Sequence, residues 1–401
     1  MKKVLILFFV AVICAGLFFC SRQNQDRRTV IKFSSWGSKS ETALLLPLIA
    51  QFERENPDIK VEFLHIPQNY FQKLHLLFAS NLAPDVVFVN NHYALKYIKA
   101  GLLEDLTPYV NRADFFEKAL EGFSYEGKIY AVPRDVSVLV VFYNKDLFKK
   151  YNVPLPEEGW SFEQYLKTAQ KFKTAGVWGT SFEQDVIFWL PYLFSSGASV
   201  LSEDGRTLLI NNADALEALQ FYADLANRYA VAPKKSDSAS FTMAQLFLQQ
   251  KLAMQVSGRW LVPKYRSDAE FDWDIAEFPC GKKGSVVNID ASGYAMSKKS
   301  KHKQAALRFI EFISSKDSLE TLVKSGLIVP ARKDIAYSEV FLDKNEKPVN
   351  STAFLNAVKT GRVTPVNEDY QKLTDSLKIL LEPVFFGKTT AKQALKNLRL
   401  N

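Results

Sequence analysis

Apolar residues recur along this chain at two spacings, and the two alternate. Short runs with strand character are Thr29–Phe33, Ile59–Ile66 and Pro84–Val89. Between them lie stretches with apolar residues three and four apart. Leu45, Leu48, Ile49 and Phe52 trace one helical stripe, behind a capping-box pattern of Ser38 and Glu41 and before the stop Asn56-Pro57-Asp58. A second helix is predicted from Tyr70 to Ser80. Strands alternating with helices indicate βαβ units and a largely parallel sheet. The second half repeats this grammar with longer helices. Predicted helices are Ser161–Thr174, with Ser161 as N-cap, then Ala213–Tyr229, Phe241–Gln250 and Lys303–Ser315. Predicted strands are Trp178–Phe182, Leu252–Val256, Phe271–Phe278 and Val286–Ser297. From Ser351 onward the pattern is mostly helical.

One run departs from this alternation. After a turn at Gly127 and a kink at Pro133, the chain is apolar on both faces from Val136 to Phe142, and a polar helix start follows at Asn144. A strand of that kind wants cover on both sides. Arg134 and Asp135 stand where it begins, and charges beside a buried strand need a partner or a ligand.

The first residues read as an export signal: Lys2 and Lys3, then an apolar run from Val4 to Phe19, too short for a membrane span. Cys20 ends the run and is the candidate lipid acceptor, although Phe19 stands where a small residue is usual. Residues 21–28 form a polar tether. Cys280 is the only cysteine beyond the signal, so the mature chain has no internal disulfide, and it reads as a small turn residue.

The 401 residues suffice for two domains with their own cores. Removing Lys2 and Lys3 takes the formal charge from +8 to +6. The basic residues are scattered beside acids, so a solvated surface is expected and no nucleic-acid partner. The four histidines have no metal-ligand spacing. No nucleophile elbow or paired Cys-x-x-Cys is present. No catalytic residues, metal or cofactor are therefore expected, and an enzyme such as a glycosidase is the weaker reading.

In open α/β sheets, ligands bind beyond the carboxyl ends of strands. That rule alone nominates Ser34, Ser35 and Trp36; Asn90, Asn91 and His92; Glu183; and Gly258, Arg259 and Trp260. It adds Arg134 and Asp135 on the crossing strand, and Asp290 and Ser292 on the returning one. Indoles with amides, carboxylates and guanidinium groups suit a sugar, whose C–H faces pack on rings while its hydroxyls want polar partners. Trp160, Trp178 and Trp273 read as core, and Asp85 as a turn cap.

Several motifs in order resemble one known family. Gly127-Lys-Ile-Tyr-Ala-Val-Pro133 with Tyr143-Asn-Lys-Asp-Leu-Phe148 is similar to the signature of family 1 extracellular solute-binding proteins, the carbohydrate-type, maltose-binding-protein-like receptors of bacterial ABC importers. Gly101–Tyr109, Phe247–Met254 with Gly258-Arg-Trp260, Gly293–Lys303 with Ala305–Phe312, and Gly326–Arg332 resemble further segments of the same family. The resemblance implies an α/β fold of the type II periplasmic-binding-protein kind, two lobes joined by a hinge with a ligand cleft between them. Lobe one would comprise 29–137 and 291–330, and lobe two 138–290 and 331–401. It implies stacking by Trp260, cleft positions for Trp189, and contributions from Arg332 and Tyr370. It also implies an exported monomer, lipid-anchored on the periplasmic or outer-surface side of the cytoplasmic membrane, that delivers its solute to permease subunits. A polyamine or other small solute is the alternative cargo. A surface adhesion or signalling lipoprotein is the alternative of a different class.

Overall fold

The computed structural model describes residues 28–396 and 398, apart from 235–236 and 238–240. Cys20, the signal and the tether up to residue 27 lie outside the described residues.

The first half begins with β1 (Thr29–Ser35), β2 (Ile59–His65) and β3 (Val86–Asn90). Helix Lys39–Glu55 links the first two strands, and helix Tyr70–Ala79 the second and third. β1 pairs in parallel with both neighbours, as βαβ connections require. The stripe read from the sequence is the buried face of the first helix: Leu45, Leu48, Ile49 and Phe52 all face inward. The core between sheet and helices is aromatic. Phe309 lies 5.2 Å from Phe33 and 5.1 Å from Phe52, ring centre to ring centre.

β4 (Ser124–Tyr125) and β5 (Lys128–Ile129) make a short hairpin. Its turn holds Glu126 at φ 50° and Gly127 at φ 79°, the pair of positive values a two-residue hairpin turn demands. β6 (Val132–Ser137) and β7 (Val140–Asn144) follow, then β8 (Met254–Ser257), β9 (Trp273–Ala276), β10 (Asn288–Met296), β11 (Val329–Pro330) and β12 (Arg362–Val363).

The main sheet has seven strands in the order β11-β6-β10-β3-β1-β2, with β12 against β10. Only its β3-β1-β2 side and the β10–β12 pair are parallel. β10 runs antiparallel to both β3 and β6, and β6 antiparallel to β11. The second sheet, β8-β7-β9, is antiparallel throughout. The expectation of a largely parallel sheet is therefore corrected: β6 and β10 are laid in opposite directions beside a parallel set.

The apolar run Val136–Phe142 is likewise not one strand. β6 ends at Ser137 in the main sheet, and β7 begins at Val140 in the second. Val138 and Leu139, which join them, are each 1% exposed. The sequence stays apolar across the junction because burial continues while the hydrogen-bonding partners change.

Trp178–Phe182 makes one bridge, Trp178 to Leu252, instead of a strand. The N–H groups of Gly179 and Thr180 both turn to the carbonyl of Val231. Helix Phe162–Lys173 carries the complete Ser161/Gln164 capping box. Trp160, Trp178 and Trp273 pack in this half, with Trp160 donating its indole N–H to the Glu277 carbonyl. Among the described residues no helix is long and apolar enough to cross a membrane.

Candidate ligand-binding site between the two sheets

A cavity of about 210 Å³ lies where the two sheets meet. Its walls are Trp36, after β1; Glu41, on the first helix; Arg134 to Ser137, on β6; Ser292, on β10; Leu327 to Val329, leading into β11; and Arg259 and Trp260, just after β8. Residues from both sheets thus share one space.

Its floor is a buried charge cluster. Arg134 donates from Nε to Asp135 at 2.5 Å and from Nη1 to Glu41 Oε1 at 2.7 Å. The guanidinium carbon also sits 4.1 Å from the centre of the Phe88 ring. Burial alone would push the guanidinium toward neutrality, but the Asp135 and Glu41 carboxylates outweigh that and hold it charged. Burial raises the Asp135 carboxyl, and Arg134 opposes the rise. Ser38 caps the first helix as expected, accepting from the Glu41 backbone N–H. The Glu41 side chain instead reaches across to Arg134, so the expected capping box is only half made. Charge pairing in a buried setting outweighs one exposed cap bond.

Two indoles face the same space. Trp36 is fixed by Phe88, Tyr70 and Phe71, with ring centres at 4.2, 5.1 and 5.2 Å. Trp260 is 36% exposed. Its ring lies flat against the preceding Gly258: a β-carbon there would come within 1.9 Å of the indole. Glycine at 258 is therefore what lets the ring fold back over the strand end.

A second cluster surrounds Asp290. Its Oδ1 meets His92 Nε2 at 2.7 Å and accepts from Thr364 Oγ1 at 2.7 Å, while Oδ2 accepts from Asn288 at 2.9 Å. Burial disfavours the Asp290 charge, but His92, Thr364 and Asn288 together hold its carboxyl below the usual range. Asn91 accepts from the Ala291 N–H at 3.0 Å, and the buried Tyr370 ring centre lies 5.0 Å from that of His92. This network ties β10 to helix Asn91–Lys99 and to helix Tyr370–Phe385, and within it Asn288 Oδ1 and the Tyr370 hydroxyl are buried without a hydrogen-bond partner among the described residues.

Of the residues nominated by sequence, the cavity brings together Trp36, Arg134, Asp135, Arg259, Trp260 and Ser292. It does not bring Trp189, which is 1% exposed within helix Val186–Ser195. Arg332 is engaged by Asp334 at 3.0 Å and Asp114 at 3.6 Å. Glu183 stands apart, its backbone tied to the Tyr222 hydroxyl. Glu41, Ser137 and the segment 327–329 were missed. The one signal for Glu41 was that Arg134 needed an acid, and many acids were available.

Glu183 offers a pH prediction. Burial, then the Asp185 charge, pushes its carboxyl up to about 7 from an ordinary 4.5. The folded state then holds a proton that the unfolded state releases, so Glu183 lowers stability as pH rises from about 4.5 to about 7. Glu183→Gln should stabilise the protein by about 1–3 kcal/mol at pH 8 and be nearly neutral at pH 4. Urea unfolding at the two pH values checks this, and an equal effect at both would contradict it.

A larger cleft of about 770 Å³ opens between residues 91–125 on one side and 203–206 and 361–368 on the other. Its cations are already engaged. Lys99 meets Glu368 at 2.6 Å, Arg362 meets Glu203 at 3.7 Å, and Lys118 donates to the carbonyls of Val358, Lys359 and Gly361. It holds no indole. The smaller cavity, with two indoles and buried charges, is the better candidate.

The sequence profile of the bacterial extracellular solute-binding proteins matches residues 36–320. The chain belongs to this family. Relatives of this solute-binding protein include an arabinooligosaccharide-binding protein of Bacillus subtilis, 25% identical and covering 98% of each chain. A putative binding protein of Brucella abortus is 24% identical over 86% of this chain and 85% of its own. Among solved structures, an ABC substrate-binding protein of Listeria monocytogenes in complex with cycloalternan superposes with a TM-score of 0.85 at 29% identity, over 92% of this chain and 97% of that one. Maltose-bound MalE3 of T. maritima gives 0.81 at 23% identity, over 92% and 97%. The solute-binding protein thus has the two-lobed α/β fold of periplasmic binding proteins. Its family is one of exported binding proteins, not of enzymes.

Proposed function

We propose that this protein captures a sugar or oligosaccharide between its lobes and delivers it to the permease of an ABC importer. The observation that carries the reading is the cavity shared by the two sheets, where Trp36 and Trp260 supply ring faces and Arg134, Asp135, Arg259 and Ser292 supply polar groups. Sugars need both surfaces at once. The names of relatives and structural neighbours that bind arabinooligosaccharide, cycloalternan and maltose support the same class.

In the lobe division 29–137 with 291–330, and 138–290 with 331–401, the boundary at 137/138 is supported by the change of sheet at Val138–Leu139, while β12, within 331–401, pairs with β10 of the main sheet. The cavity, at about 210 Å³, falls below the several hundred Å³ typical of ligand pockets. An oligosaccharide therefore enters when the lobes part. It favours closure by touching both walls, a differential affinity for the closed state. Anchoring through Cys20 would keep the receptor beside its permease.

Titrating the mature domain with mono- and oligosaccharides, read by tryptophan fluorescence, tests this. At least one sugar should change the emission saturably, because Trp36 and Trp260 line the cavity. A response to polyamines or another solute class and to no sugar would overturn the cargo assignment.

A further inference from the structure

Two guanidinium groups line the cavity, and the fold treats them differently. Arg134 has carboxylates on both sides. Arg259 is 3% exposed, and among the described residues no carboxylate forms an ion pair with it. Its Nη1 reaches Ser351 Oγ at 3.4 Å, the outer limit of a hydrogen bond, and its Nε has no partner. The rings of Phe341 and Phe354 lie 4.2 and 5.4 Å from the guanidinium carbon. Those rings attract the cation but accept none of its in-plane N–H bonds. A buried cation with open donors is costly unless an anion completes it.

The protein's other enclosed arginines show what completion looks like. Arg266 donates to the carbonyls of Lys347 and Lys324 and sits 3.6 Å from Glu346. Arg332 has Asp334 and Asp114. At Arg259 the corresponding acid is missing, and the residue forms part of a cavity wall. Burial, with the positive charge of Arg266, pushes its guanidinium down to about 9, so it remains a cation at neutral pH.

We propose that Arg259 is a subsite for an anionic substituent on the captured sugar, a uronate carboxylate or a phosphate. This rests on the sugar-receptor reading and narrows it to acidic sugars. A planar carboxylate or a phosphate accepts from the guanidinium fork, supplying the bonds that the protein withholds. The opposite wall repels such a group, because Glu41 and Asp135 together outnumber Arg134 there. The substituent is therefore directed to the Arg259 wall.

The test uses matched pairs: oligogalacturonides against their methyl esters, and phosphorylated disaccharides against the unphosphorylated parents, each titrated into the mature protein by calorimetry. The charged member of at least one pair should bind at least roughly tenfold tighter, the scale of one charge-assisted bond. The pair that responds tells carboxylate from phosphate. Arg259→Gln should collapse that preference toward one, while Arg259→Lys, which keeps the charge and loses the fork, should retain part of it. Neutral members binding as tightly as charged ones in the wild-type protein would overturn the Arg259 assignment and leave the sugar receptor standing. A preference unchanged in folded Arg259→Gln would do the same. Failure of every sugar, charged or neutral, would overturn both readings. The wild-type comparison decides even if Arg259→Gln does not fold.

Discussion

Replacing Arg134 with methionine is expected to destabilise the protein by about 3–5 kcal/mol, the range for breaking a buried pair by removing one partner. The loss comes from what remains. Glu41 and Asp135, 8% and 5% exposed, would be left as neighbouring carboxylates with no cation between them. Methionine fills the space over Phe88, so the packing loss is small by comparison. Two controls separate charge from packing. Adding Glu41→Gln and Asp135→Asn to Arg134→Met should recover most of the loss, because neutral amides tolerate burial better than unpaired carboxylates. The deficit should also shrink on acidification. Burial already raises the Asp135 carboxyl in the native protein, and losing Arg134 raises it further. A raised folded value means that the charged form costs stability as pH increases through it, so protonation at lower pH relieves the cost. Denaturant unfolding of the single and triple variants at pH 5 and pH 8 measures all of this. A single variant as stable as the parent would show that the cluster contributes no net stability.

Trp260→Ala should weaken sugar binding roughly tenfold to a hundredfold while leaving the fold nearly unchanged. Burying a large apolar side chain against a ligand is worth about 1.5–3 kcal/mol, and every 1.4 kcal/mol is about a factor of ten in affinity. The fold is spared because the ring is 36% exposed at the cavity wall and completes no core layer. Gly258→Ala should reproduce much of the binding loss with the indole still present, since the added methyl would strike the ring at 1.9 Å and turn it away. Calorimetric titration with a sugar that the parent binds, together with melting curves, checks both variants. Unchanged affinity in Trp260→Ala would remove the ring from the binding surface.

Much of the element order was legible in the sequence because burial leaves a periodic trace. The stripe Leu45-Leu48-Ile49-Phe52 and the cap at Ser161 are local, and both form as read. The site was legible only where an element's end defines it: Trp36 follows β1, and Arg259 and Trp260 follow β8. The Glu41–Arg134 pair joins residues 93 positions apart, and no local pattern chooses one acid among many. Trp189 shows the converse limit. Its neighbours Phe188, Leu190 and Tyr192 are apolar, unlike the Ser/Gly setting of Trp36, and packing leaves its ring 1% exposed within helix Val186–Ser195.

By itself, the sequence determined that the chain is α/β and where many of its helices and strands lie, while helices such as Asn91–Lys99 and Val186–Ser195 went unread. It also determined that two charges beside a buried run need partners. Those conclusions follow from periodicity and from the cost of burying polar groups, both properties of nearby residues. Tertiary structure alone decided that the apolar run changes sheets at Val138–Leu139 and that β6 and β10 run antiparallel. It also decided that Glu41 completes Arg134 while nothing completes Arg259. Pairing between distant segments is fixed by the summed energy of the whole packed chain, which short stretches do not encode.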